Sequence, residues 1–219
     1  MTLLPIYQEF ENGATITALG YEITLRRRTI GMLSLPTGRL VACDLLDHPD
    51  AEPFAQQLTP GSYPVQLVVA DLRDETHLAY AIIEVAAAPA RRWRLALAEG
   101  EAAPEKAGEG EGYQVLSSVG CFMDAAVAQR LVNYWEVVTE EEDDELLREL
   151  RAQLRKQRKW GAGFANVGEE QLGANIIAFE AGAGYFPTYL GFDEEDQLTR
   201  VVTDFQVLDL SFPSFKLGS

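Results

Sequence analysis

Two cysteines, two histidines and a few aspartates beside apolar runs are the residues of this chain that could do chemistry. Cys43 and His48 stand close together, with Asp44, Asp47 and Asp50 around them. Zinc takes four ligands, commonly from paired Cys/His motifs, and His77 is the only other histidine, so no metal site is expected. The acidic turn Asp193-Glu194-Glu195-Asp196 lacks the loop pattern and closing glutamate of a calcium site, and reads as a solvated turn. Cys121 lies just before Asp124, a helix start, where a thiolate would be stabilised. It would still need His48 or His77 as a base. Ser117 and Ser118 lack the G-x-S-x-G elbow. Two cysteines this far apart, in no paired pattern, read as buried and reduced.

Carboxylates offer another chemistry. Asp44, Asp124 and Asp204 each adjoin an apolar segment, and a pair brought together in a cleft could act as general acid and base. Each also has a structural use. Asp124 can cap a helix, and Asp44 and Asp204 can accept backbone bonds at strand ends. A hydrolase built on them needs all three in one cleft. Phosphate cradles are not expected: Gly182-Ala183-Gly184 follows a strand but no helix pattern follows it. The one basic stretch, Arg148 to Lys159, could touch RNA or an acidic protein. It reads better as the counterweight to the six consecutive acids Glu140, Glu141, Glu142, Asp143, Asp144 and Glu145.

Composition narrows the function classes. The chain has 219 residues and a net charge of −16, with 47% hydrophobic and 24% charged residues. That content supports a packed core without disulfides. The charge repels a phosphate backbone and attracts a basic protein. The N-terminal stretch shows no basic leader, and no run reaches the ~18 apolar residues of a membrane span. Cytoplasmic localisation is expected, with neither membrane nor nucleic acid as partner and no cofactor.

The elements that would position these residues are mostly strands. Tyr21 to Leu25 alternates in polarity. Gly31 to Leu35, the turn Pro36-Thr37-Gly38, and Arg39 to Cys43 read as a hairpin. Val65 to Ala70 and Leu78 to Val85 are strands joined by a polar loop, Asp71 to His77. Trp93 to Leu97 is a further strand. The segment 100–112 has almost no large apolar side chain and reads as a mobile loop. A helix is expected over about 124–138, with Val127, Leu131 and Trp135 as its stripe. A second is expected over about 140–160, opened by a Thr139/Glu142 capping box and buried along Leu146, Leu147, Leu150 and Leu154. Strands return at Asn175 to Glu180, Tyr185 to Phe192, Leu198 to Thr203 and Phe205 to Leu210. This order predicts a single globular α+β domain with mostly antiparallel sheet and two adjacent central helices.

Four strings occur in order: Pro36-Thr-Gly-Arg-Leu-Val-Ala-Cys-Asp44, Pro60-Gly-Ser-Tyr-Pro-Val65, Gly120-Cys-Phe-Met-Asp124 and Val201-Val-Thr-Asp-Phe205. Together they resemble the bacterial family called domain of unknown function 4241, over roughly residues 30–210. Members usually carry an Asp and a Gly-Thr just before the Gly-x-Phe-Met-Asp string, where this chain reads Leu116, Ser118 and Val119. They also tend to have a Gly-Asp-Gly near the late Tyr-Pro-x-Tyr string, whereas Gly184 runs directly into Tyr185-Phe-Pro-Thr-Tyr189. The resemblance implies no established reaction, and it leaves Asp44, Asp124 and Asp204 as the matching acids.

The expected function is therefore a non-catalytic protein-binding module, most concretely an immunity protein or antitoxin that neutralises a co-encoded bacterial toxin. Its contacts would be Glu140, Glu141, Glu142, Asp143, Asp144, Glu145, Asp193, Glu194, Glu195 and Asp196, which suit a basic partner. The alternatives are the hydrolase above and a structural scaffold that docks through the charged helix from Thr139 to Trp160.

Overall fold

β-branched and aromatic residues at alternating positions favour pleated, half-buried backbone, and this chain has them in long runs. The computed structural model describes residues 13–18, 21–102, 112–138 and 144–208. In chain order the elements are β1 (Thr15–Ala18), β2 (Tyr21–Leu35), β3 (Leu40–Asp44), β4 (Gly61–Leu72), β5 (Glu75–Glu84), β6 (Arg92–Leu95), β7 (Tyr113–Val115), β8 (Val119–Asp124), α1 (Ala125–Val137), α2 (Glu145–Gln157), β9 (Phe164–Val167), the helical turn α3 (Glu169–Leu172), β10 (Ile176–Glu180), β11 (Gly184–Phe186), β12 (Thr188–Phe192) and β13 (Leu198–Asp204). They make a mostly antiparallel α+β fold. One sheet has the order β1-β2-β4-β5-β13-β12-β6, a second has β3-β8-β10-β9, and β7 pairs β11 in a short ribbon.

The two sheets and the helices form three layers. Leu33, Leu35, Leu67, Val69, Ile83 and Val201 of the large sheet pack against Leu40, Ala42, Phe122, Ile177 and Phe179 of the small one. The opposite face of the small sheet, with Val41, Cys43, Cys121 and Met123, lies under Val127 and Leu131 of α1 and under Leu146, Leu147, Leu150 and Leu154 of α2. Both faces of β3 are therefore covered, and all five of its residues are buried. Edge-to-face rings run Tyr113–Phe186–Phe205–Phe179–Phe122 and tie the ribbon to the small sheet.

Several local readings are corrected. Gly31–Leu35 and Arg39–Cys43 are not a hairpin. Leu35 pairs Gly61 in the large sheet, while Leu40 pairs Asp124 in the small one. The Pro36–Gly38 turn is the crossing between layers. Gly38 has φ of 72°, and a Cβ there would strike the Leu58 carbonyl. The loop expected over Asp71–His77 shrinks to Arg73-Asp74, and Thr76 and His77 stay in the ladder. Tyr185–Phe192 is split at Pro187, which has no N–H to give a ladder, and its halves join different sheets. Phe205–Leu208 is not strand, because Phe205 turns inward to join the ring series; 209–210 lie outside the described residues. So do 139–143, with the expected capping box, and most of the 100–112 loop. The second helix begins at Glu145, where Asp144 caps it by accepting the Leu147 N–H at 2.9 Å.

Open strand edges invite mispairing, and two amide side chains close them. Asn175 accepts the Ser34 N–H at 2.8 Å and donates to the Met32 carbonyl at 2.7 Å and to Asn166 Oδ1 at 2.6 Å. Gln153 of α2 does the same for β9, bonding both the N–H and the carbonyl of Asn166. Further along β2, Arg26 pairs Asp71 through two bonds and donates to the Trp160 carbonyl. Asn175 is buried, so its loss leaves unpaired groups at Met32 and Ser34. Asn175→Ala should lower unfolding free energy by about 2–4 kcal/mol, read as a lower urea midpoint with an unchanged slope.

Candidate functional site

The acids that could do chemistry are fixed by the β3–β8 pair. Asp44 lies opposite Gly120 and Asp124 opposite Leu40. They stand at opposite ends of the pair, four residues or about 13 Å apart along the strand. Asp124 is fully buried. Its carboxylate accepts the Thr37 N–H at 2.9 Å, the Thr37 hydroxyl at 2.8 Å and the Ala126 N–H at 2.9 Å. Asp44 is 1% exposed. It accepts the N–H groups of Leu116 and Ser117, each at 2.7 Å, those of Leu46 at 2.9 Å and Asp47 at 3.1 Å, and the Ser117 hydroxyl. Burial works to raise the Asp44 pKa. The Ser117 hydroxyl and the Ser117, Leu116 and Leu46 amides outweigh it, so the pKa falls below the usual aspartate value. Asp204 shares the alternation of Val202, on the far face of the large sheet from Val201, and accepts the Gln206 N–H at 2.7 Å. The three carboxylates do not line one cleft, and the two at β3–β8 have their lone pairs filled by structural donors.

The other candidates also separate. Cys43 and Cys121 point into the core beneath the helices. His48 is exposed, its Nδ1 2.6 Å from the Asp47 carbonyl oxygen, and His77 is exposed beside Glu75. Neither reaches a thiol from these positions. Ser117 is spent on Asp44. Among the described residues no three His, Cys, Asp or Glu side chains group as a metal site.

The acidic surface is redistributed relative to the sequence reading. In the Asp193–Asp196 turn, Asp193 accepts the N–H groups of Glu195 and Gln197. Glu194 pairs Arg91, and Asp196 pairs Arg92 and Arg94. Such exposed pairs contribute at most about 1 kcal/mol each, but they cancel the local field. Asp144 is not a surface contact: it is 4% exposed and accepts the Trp135 indole N–H at 2.7 Å as well as the cap bond. Glu140, Glu141, Glu142 and Asp143 lie outside the described residues. Glu145 is exposed, and the fold gives it company that the sequence did not suggest. Glu145 and Glu149, one helical turn apart on α2, face Glu169 and Glu170 of α3 across an open cleft of about 460 Å³ floored by Asn166, Val167 and Gly168. None of these four glutamates is in an ion pair with another described residue. Their mutual repulsion makes the cleft a place where a partner's lysine or arginine is attracted.

The matched strings can now be placed against known proteins. Residues 33–203 match the family described as protein of unknown function (DUF4241). The chain belongs to this family. No curated protein and no solved structure matches it. In this DUF4241 member, the first and third of the four strings form the β3–β8 pair itself, and the second and fourth supply β4 and β13. Just before the third string lies the loop whose Leu116 and Ser117 amides hold Asp44. Ser118 there has φ of 69°.

Because the Asp44 pKa is lower folded than unfolded, its contribution to stability is fully present above pH ~4 and is lost as pH falls through the folded value. Asp44→Asn turns an NH2 toward the donors at 116 and 117. It should cost about 2–4 kcal/mol at neutral pH and flatten the decline in stability below pH ~4, measured by denaturant titrations across pH.

Proposed function

We propose that this chain is a non-catalytic protein-binding module, most concretely an immunity protein or antitoxin that neutralises a co-encoded basic toxin. The observation that carries this reading is the contrast between its two kinds of acid. The buried aspartates of the family strings are consumed by backbone donors, while Glu145, Glu149, Glu169 and Glu170 are left exposed and uncompensated around one cleft. A carboxylate that accepts five bonds is poorly placed to move a proton. Four carboxylates outside any ion pair among the described residues, on a body of net charge −16, speed encounter with a basic surface, and salt weakens that effect. Among the described residues no helix is long and apolar enough to cross a membrane.

The test is co-expression with the product of the neighbouring gene, followed by calorimetry on the purified pair. Complex formation with a basic, growth-arresting neighbour and relief of that arrest are expected. Glu145→Lys with Glu170→Lys should weaken binding at least about tenfold, mostly through the association rate at low salt, and leave the melting temperature within about 2 °C, since both side chains are exposed. Absence of a complex with any neighbouring product would remove the toxin reading. A complex indifferent to the double reversal would move the interface away from the cleft.

A further inference from the structure

Cys43 and Cys121, which lie 78 positions apart in the sequence, are direct cross-strand partners on β3 and β8, and their sulfurs are 3.5 Å apart. The bonds Leu45 N–H to Val119 O and Ala125 N–H to Arg39 O set the alternation of the ladder and make Cys43–Cys121 one of its hydrogen-bonded pairs. Such pairs hold their Cα atoms about 5.5 Å apart. That falls inside the roughly 4.4–6.8 Å window of protein disulfides, so closing to an S–S bond of about 2.05 Å takes about 1.5 Å of side-chain movement and no shift of register. On its other side Cys121 faces Ala178 of β10, a small side chain. Both thiols are buried, at 1% and 0% exposure.

We propose that Cys43 and Cys121 form a redox modification site, closed to an intramolecular disulfide by a peroxide-class oxidant. One thiolate attacks a peroxide oxygen. An S–O bond forms, the O–O bond breaks, and the departing hydroxide takes up a proton to leave as water. The second thiolate then attacks the resulting sulfenic sulfur. The S–S bond forms, and the S–O bond breaks, releasing a second water. Both sulfurs are oxidised, and one peroxide accepts the two electrons. The neighbouring sulfur and burial push the Cys43 thiol well up, so the closed chain reacts slowly and oxidation follows local opening of the helix layer. β3 is the outer strand of its sheet. The bond staples that edge between the sheet-crossing turn and the Asp44 anchor.

The reduced full-length protein would be treated with hydrogen peroxide in native buffer, then denatured with N-ethylmaleimide and weighed. The expected product has lost two hydrogens and both maleimide adducts. It yields a cross-linked peptide pair containing Cys43 and Cys121, reverts with dithiothreitol, and melts about 5 °C higher than the reduced chain. Retention of both adducts, sulfinic acids in place of the cross-link, a disulfide-linked dimer, or a lowered melting temperature would overturn the proposal. Cys43→Ala and Cys121→Ser should each abolish the loss of two hydrogens. If neither variant folds, the wild-type masses still decide.

Discussion

The buried carboxylate of Asp124 is the joint on which the three layers meet. It ends β8, opens α1 through the Ala126 N–H, and holds both the N–H and the hydroxyl of Thr37 in the turn that carries the chain from the large sheet to the small one. A carboxylate taken out of water loses several kcal/mol of hydration. Charge-assisted bonds of about 1.5–3 kcal/mol each offset that loss only when the donors are held in place. The turn, the strand end and the helix start are therefore fixed together, or the burial is unfavourable. Asp44 repeats the device at the other end of the same strand pair, with the 116–117 loop in place of the turn.

This use of acids explains why Asp44 and Asp124 read in sequence as candidate general acids and bases, while in the structure they hold backbone amides and hydroxyls. Aspartates beside apolar segments are the pattern expected both of an active site and of a structural anchor. Donor count separates the two, and at Asp44 and Asp124 the donors are backbone amides and hydroxyls that come from the fold itself. Exposed negative charge stands instead on residues that hold no such backbone donors. Those are the glutamates of α2 and α3, on the outer side of the helix layer.

Much of the architecture was legible in the sequence. The leucine stripe of α2, the Val127 and Leu131 face of α1, and the alternation in β2, β4 and β5 follow from periodicity, and they are buried as that periodicity requires. The local readings that failed did so for long-range reasons. Pro36–Gly38 has the residues of a hairpin turn, but a turn joins only its neighbours in sequence. Whether the flanking strands pair depends on Gly61 and Asp124, which no local window contains. The same holds for the acidic cleft: Glu145 and Glu149 share a helix face that spacing reveals, while Glu169 and Glu170 meet them only because α2 packs on β9.

The sequence by itself determined the class of the protein: a strand-rich, acidic α+β chain of the DUF4241 family, with its core positions, two helices and structural aspartates marked by residue type and period. Tertiary structure alone decided which strands share a sheet, that Asp44 and Asp124 stand apart with their lone pairs filled, that Asp193–Asp196 is balanced by arginines, and that two distant thiols touch. Periodicity acts over a few residues. Strand pairing and charge compensation are set by contacts between segments far apart in the chain, and composition carries no record of which segments those are.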